Sequence, residues 1–269
     1  MKIGFIGMGN MAQAILGGII EKEVFPPEDL LAFDLDSEKL KDASLKFGFM
    51  LGDSNAELVK ACDLIFLAVK PQYFAGVAKE IRDLVTPEKA FISIMAGLSN
   101  DNIKAHLGEH ARILRVMPNL PLTVGEGMTC LCAEHDLTLT EYALAVSTFS
   151  AVGRVEILSE KDISAFAAIA GSSPAYVFLF LEAMADAACM AGIPRSVAYP
   201  VCAQAVLGSA KLALSSQHHV AELKDMVCSP GGTTIEGVYA LEQGGFRKTV
   251  MDSVLKAVEK FDRMQGSGK

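Results

Sequence analysis

Over its first 160 residues the chain alternates short, continuous apolar runs with longer segments whose apolar positions recur every three or four residues. The runs at 2–6, 30–34, 63–69, 90–95, 112–117 and 128–133, with a short one at 154–158, predict strands. The periodic segments near 10–22, 37–47, 73–84, 100–107 and 138–150 predict helices. Apolar runs of this kind, separated by helices, are expected of parallel strands buried on both faces. The pattern therefore predicts an α/β doubly wound sheet over residues 1–159.

After Lys161 the strand pattern gives way to alanine, methionine and leucine. Helices are predicted at 162–191, 195–215, 219–227, 233–243 and 247–265, punctuated by Ile193-Pro194 and Gly244-Gly245. No charge occurs from Ile163 to Leu181, a run long enough for a membrane span. Gly171-Ser172-Ser173-Pro174 interrupts it, and Glu182 and Asp186 follow on the same helix, which favours a buried helix or a subunit interface. A helix apolar nearly all round needs cover on every side, so residues 160–269 read as an all-helical domain intertwined with a second subunit. A Gly-Ser tail occupies 266–268.

Composition narrows the function. With 269 residues, 51% of them hydrophobic, the chain can bury a substantial core. A net charge of −8 without any Lys/Arg run argues against a nucleic-acid partner. The six cysteines show no CxxC or zinc-type spacing, and are expected as buried, reduced thiols of a cytosolic protein. Five histidines include the adjacent pair His218-His219, and no metal site is predicted. The apolar N-terminus is interrupted by glycines and polar residues and does not read as a signal peptide, so no membrane association is expected.

Two glycine-rich loops carry the chemistry. Gly7-Met8-Gly9-Asn10-Met11-Ala12 lies between the first strand and first helix, the setting in which such a motif cradles a dinucleotide pyrophosphate. Gly7 permits the turn, Gly9 close approach of the phosphates, and Ala12 close helix packing. Asp34, 22 residues past Ala12, ends the second strand, where a carboxylate accepts ribose hydroxyls and repels a 2′-phosphate. Lys39 and Lys41 partly offset that repulsion, and NAD(H) is slightly favoured over NADP(H). Asp34 or Asp36 could instead cap the next helix. The second loop, Ser229-Pro230-Gly231-Gly232-Thr233-Thr234, points backbone N–H groups outward at a helix N-terminus, a ready site for a small carboxylate. For the two threonines, capping and a functional role fit equally.

Alcohol oxidation needs a base, and no lysine occurs between Lys161 and Lys211, where hydroxyacid dehydrogenases of this architecture carry one. Reduction of a C=N bond asks for less. A solvent-protonated iminium is already electrophilic and requires mainly orientation and one hydrogen bond at nitrogen, which Thr234 could supply.

Together these motifs closely resemble the pyrroline-5-carboxylate reductase family over essentially the whole chain. The likeness rests on Gly4-Phe-Ile-Gly-Met-Gly-Asn-Met11, Ala68-Val69-Lys70-Pro71, Met95-Ala96-Gly97 and Arg115-Val-Met-Pro-Asn119-Leu-Pro121. It continues through Gly171-Ser-Ser-Pro-Ala-Tyr176 and Leu223-Lys-Asp-Met-Val-Cys-Ser-Pro-Gly-Gly-Thr-Thr234. The resemblance implies a Rossmann domain followed by a helical dimerisation domain, active sites completed across the dimer, and dimers that in many members assemble into decamers. It implies hydride transfer from NAD(P)H to 1-pyrroline-5-carboxylate in proline biosynthesis. By motif match, Asn55 lies near the adenosine, while Ala68, Lys70, Pro71, Ala96 and Asn119 line the cofactor. Ser229, Gly231, Gly232 and Thr233 hold the substrate carboxylate, and Thr234 bonds the ring nitrogen. Phe33-Asp34-Leu35-Asp36 departs from the Ser/Thr residues many members carry after the second strand, which puts the usual NADPH preference in doubt. A reductase of another cyclic imine acid and a non-catalytic nucleotide sensor are the alternatives.

Overall fold

The computed structural model describes residues 1–266. Eight strands form one sheet in the order β3-β2-β1-β4-β5-β6-β7-β8. They are β1 (Ile3–Ile6), β2 (Leu30–Phe33), β3 (Met50–Leu51), β4 (Leu64–Leu67), β5 (Ala90–Ser93), β6 (Arg112–Met117), β7 (Gly127–Cys132) and β8 (Gly153–Leu158). Helices α1 (Asn10–Glu21), α2 (Ser37–Phe47), α3 (Asn55–Ala61), α4 (Pro71–Ile81), α5 (Asn100–Leu107) and α6 (Leu139–Ser150) connect them. The helical part comprises α7 (Ile163–Phe166), α8 (Ser173–Met190), α9 (Arg195–Ser215), α10 (Val220–Val227), α11 (Thr233–Gln243) and α12 (Phe246–Gly266).

The strand period explains the sandwich. Along β4, Leu64 and Phe66 enter one core with Ile15 and Leu16 of α1, while Ile65 and Leu67 enter the other with Val77 and Ile81 of α4. Phe66 stacks on Phe5 of the neighbouring strand, ring centroids 4.5 Å apart. From β3 to β6 every pairing is parallel. The doubly wound expectation thus holds, with one difference: β7 runs antiparallel to β6, and β8 pairs parallel with β7. The connection 118–126 is shorter than the dozen or so residues a parallel crossover requires.

Two elements between 50 and 61, β3 and α3, have no counterpart among the predicted ones. A two-residue strand carries no period, but α3 had a signal in Ser54-x-x-Glu57, and the Ser54 hydroxyl does accept the Glu57 N–H. The predicted helix 162–191 is three pieces: α7, a π-helical turn at Ala167–Gly171, and α8, opened by Pro174. All six cysteines are unpaired, four buried and two, Cys189 and Cys228, half-buried. Burial raises the thiols of Cys62 and Cys130 to about 11 and that of Cys132 to about 12.

The chain forms two compact units, Met1–Gly171 with the chain from Ala257 on, and Ser172–Lys256. The change in sequence character near 160 precedes the geometric division because Ile163 and Phe166 pack into the sheet core. In the first unit Gln265 at the end of α12 also donates to the Ser164 hydroxyl, at 2.8 Å. The Gly-Ser tail read at 266–268 lies, past Gly266, outside the described residues. The second unit has a small core, in which Ala185, Ala198 and Cys202 are buried beside Leu181, Met184 and Ala188. Arg195 at the start of α9 pairs with Asp186 of α8 at 2.7 Å. Two segments, Glu160–Met190 and Arg195–Ser215, are long and apolar enough to cross a membrane, and only 28% and 11% of their apolar windows are buried in the chain.

Candidate active site

In the sheet unit the order of strands reverses between β1 and β4, and the segments leaving their C-terminal ends bound the crevice where doubly wound sheets bind ligands. Gly7 has φ +93°, and a Cβ there would lie 2.9 Å from the Ala68 carbonyl oxygen. The two strand ends therefore approach as closely as a backbone without a side chain allows. Gly7 N–H donates to Phe33 O at 2.8 Å, tying the loop to the end of β2. Gly9 is the N-cap of α1, and nothing lies within 4 Å of the Cβ position above it. Asn10 is exposed at the first turn, Met11 half-buried and Ala12 fully buried. A naked loop followed by the unpaired first-turn N–H groups of a twelve-residue helix suits a pyrophosphate.

Asp34 takes part in this loop. Its Oδ2 accepts the Met8 N–H at 2.6 Å and its Oδ1 the Asp36 N–H at 2.9 Å, while the Lys39 ammonium lies 3.8 Å from Oδ2. The capping role belongs to Asp36, whose side chain accepts the Lys39 N–H. After β4, Ala68 is half-buried, Lys70 exposed and extended, and Pro71 opens α4, as the restriction on a residue before proline requires. Ala96 is half-buried in the loop after β5, beside Gly97 at φ +81°.

Asn55 and Asn119 carry a surprise: both carboxamides have partners inside the protein. Asn55 is 4% exposed and donates to Glu80 of α4 at 2.7 Å. Asn119 donates to Ala170 O of the π turn at 3.0 Å and accepts the Met128 N–H at 2.8 Å. A π turn frees backbone carbonyls from the regular ladder, and Asn119 satisfies one of them. Nearby, the buried Arg115 pairs with Glu160 at 3.0 Å. No sequence motif had pointed to these internal bonds.

In the helical unit, Ser229-Pro230-Gly231-Gly232 forms a tight turn closed by Gly232 N–H to Ser229 O at 3.0 Å. Proline at the second position and Gly231 at φ +64° at the third are the signature of a type II turn. A Cβ on Gly232 would fall 2.3 Å from the Ser229 hydroxyl, so a side chain there would have to displace that hydroxyl. Gly232 caps α11 in extended conformation, leaving the N–H groups of Thr233, Thr234 and Ile235 without helical acceptors. Among the described residues neither threonine hydroxyl has a hydrogen-bond partner, so neither caps the helix. Thr233 is exposed and Thr234 half-buried. His219 caps α10 through Nδ1 and His218 pairs with Glu222, both exposed, as expected of residues outside the chemistry.

The comparisons agree with this geometry. Residues 160–264 match the family described as pyrroline-5-carboxylate reductase dimerisation, and residues 2–97 match that described as NADP oxidoreductase, coenzyme F420-dependent. Over 266 residues, 99% of each chain, the protein is 42% identical to the pyrroline-5-carboxylate reductase of Escherichia coli K12. The chain belongs to the pyrroline-5-carboxylate reductase family. The solved pyrroline-5-carboxylate reductase of Coxiella burnetii superposes with a TM-score of 0.89 at 34% identity, covering 98% of both chains. The Plasmodium falciparum pyrroline carboxylate reductase, solved with NADP bound, gives 0.90 at 33% identity, again over 98% of both. The protein is thus an oxidoreductase with a Rossmann-type NAD(P)-binding domain and a helical dimerisation domain through which the family self-associates.

Proposed function

We propose that the protein transfers a hydride from NAD(P)H to the imine carbon of 1-pyrroline-5-carboxylate, giving L-proline. The observation that carries this reading is the 229–234 turn, which opens α11 with the N–H groups of Thr233, Thr234 and Ile235 unpaired and, among the described residues, no carboxylate bonded to them. Membership of the family supports it. When bound, the nicotinamide supplies the hydride. Gly7, Gly9, Asn10 and Met11 would hold its pyrophosphate, Asp34 the adenosine ribose, and Ala68, Lys70, Pro71 and Ala96 the walls of the crevice. Asn55 and Asn119 shape that crevice through their internal hydrogen bonds.

The substrate carboxylate rests on Ser229, Gly231, Gly232 and Thr233. Each backbone N–H to an anion contributes about 1.5–3 kcal/mol, without a lysine to compete for other acids. The Thr234 hydroxyl, having no internal partner, orients the ring nitrogen. That nitrogen arrives protonated by solvent, so adding hydride to carbon completes the amine and no enzyme base is needed. Asp34 favours NADH slightly over NADPH. We further infer two domains, 1–159 and 160–269, a dimer that assembles further into a decamer, and a cytoplasmic setting.

The test is loss of absorbance at 340 nm on mixing purified protein with pyrroline-5-carboxylate and NADH or NADPH. Oxidation with either is expected, faster with NADH. Retained cofactor binding without oxidation would overturn the reaction. The six-membered cyclic imine acid, run in parallel, reads ring-size selectivity.

A further inference from the structure

Resting on the reading that the end of β2 meets the adenosine of the cofactor, we propose that Lys39 determines how well this protein tolerates a 2′-phosphate there. Asp34 is a fixed charge. Two backbone N–H groups, from Met8 and Asp36, grip its two oxygens at 2.6 and 2.9 Å, and its side chain is 19% exposed. A carboxylate held from both sides does not swing away from an arriving anion, so a 2′-phosphate must be accommodated by a compensating cation.

Lys39 is the residue placed to compensate. Its ammonium stands 3.8 Å from Asp34 Oδ2, beyond hydrogen-bond reach, and the side chain is 35% exposed. So loose an exposed pair contributes little, and the ammonium can turn to a stronger acceptor at small cost. Lys41 cannot substitute, because residues two apart lie on opposite faces of a helix. Lys39, Ala43 and Lys46 share one face of α2, and with Gln13 of α1 they line a cavity of about 420 Å³. The surroundings make the lysine decisive. From position 34 to 42 the chain carries four acids, Asp34, Asp36, Glu38 and Asp42, against Lys39 and Lys41 alone. Removing Lys39 takes away the cation that stands beside Asp34 and leaves Lys46 as the one lysine against the acids Asp36, Glu38 and Asp42 of the same cavity.

The experiment is calorimetric titration of ADP and of adenosine 2′,5′-bisphosphate into wild type, Lys39→Glu and Lys39→Gln, with no nicotinamide and no turnover involved. The two probes differ only in the position of one phosphate group, so the ratio of their dissociation constants reports the 2′ site. Lys39→Glu is expected to weaken the 2′-phosphorylated probe about tenfold or more, the scale of one charge-assisted hydrogen bond, and ADP by less than about threefold. Lys39→Gln should fall between, and raising salt should shrink the wild-type ratio toward that of Lys39→Gln. Equal loss for both probes, or no change in either, overturns the role of Lys39 while leaving the cofactor site intact. Failure of wild type to bind either probe overturns the cofactor reading and this proposal with it. Thermal denaturation of each variant separates a local charge effect from unfolding.

Discussion

The two units solve the problem of burying apolar surface in opposite ways. In the sheet unit the large side chains are inside: Phe5, Phe66, Phe74, Phe91 and Phe149 are each less than 2% exposed, and two cores cover both faces of the sheet. In the helical unit the buried cluster consists of two alanines and a cysteine, while Phe178 is 58% and Leu179 67% exposed. Val177, Phe178, Leu179 and Phe180 are consecutive and all exposed, so successive 100° steps leave this turn of α8 open on nearly every side. A monomeric protein does not sustain contiguous apolar surface of that extent. The sheet unit completes its core from its own residues, and the helical unit requires a second copy of the chain.

The comparison breaks most sharply at α8. Replacing Phe178 and Leu179 together by aspartate places two charges on the surface that self-association covers. The expected result is a shift to monomer in analytical ultracentrifugation and loss of measurable reductase activity. Wild type should also show a melting temperature that rises with protein concentration, as linkage to association demands. A variant that remains oligomeric and active would show that another surface carries the interface. In the sheet unit the corresponding experiment is Phe66→Ala. Losing a buried ring stacked on Phe5 should cost about 3–5 kcal/mol in chemical denaturation. In contrast to the α8 variant, this loss should persist at any protein concentration that keeps the oligomer intact.

A smaller effect is expected at the 229–234 turn. Thr234→Ala should lower turnover about tenfold, or about 1.4 kcal/mol in the barrier, with cofactor affinity unaltered. Because the hydroxyl has no internal partner, the melting temperature should move little. Unchanged turnover would remove Thr234 from the mechanism. Thr234→Ser, which keeps the hydroxyl, should restore most of the rate.

How legible these features were depended on the kind of interaction behind them. Glycine motifs are readable because backbone geometry permits few substitutes, and Gly7 at φ +93° and Gly231 at φ +64° occupy the conformations their turns required. Continuous apolar runs gave the parallel strands because burial on both faces leaves no polar alternation. The reversal at β7 was not legible in composition, since an antiparallel neighbour buried on both faces has the same apolar content; it could be read only from the length of its connection. Long-range polar bonds left no trace at all. Nothing in the chain announces that Asn119 would hold Ala170 O, or that Asn55 would reach Glu80, because such partners are chosen by the fold rather than by spacing. Asp34 is intermediate: its position was predictable, and its grip on Met8 N–H was not.

The smallest effect concerns the seam where the sheet gives way to the segment that begins at Ser159. Glu134 Oε2 accepts the Glu160 N–H at 2.8 Å, and Oε1 accepts the Ser159 hydroxyl at 3.0 Å. The Glu160 N–H, followed by the Cys132 thiol, favours the ionised form and pulls the Glu134 carboxyl down from 4.5 to about 2. A carboxyl whose folded pKa is depressed contributes stability that is fully present above its unfolded value and lost as pH falls through its folded value. The Glu134 contribution should therefore be constant above about pH 5 and disappear between pH 4.5 and about 2. Glu134→Gln should accordingly melt below wild type by an amount that is steady near neutrality and closes over that acid window. The group is solvent-exposed, so a shift of only a degree or two is expected at neutral pH, on the order of a surface charge interaction. Wild-type and variant melting curves that stay a fixed distance apart down to pH 2 would place the stabilisation in packing rather than in the charge. Because all of these groups lie within the sheet unit, the acid-dependent loss should be independent of protein concentration, unlike the loss expected from the α8 substitutions.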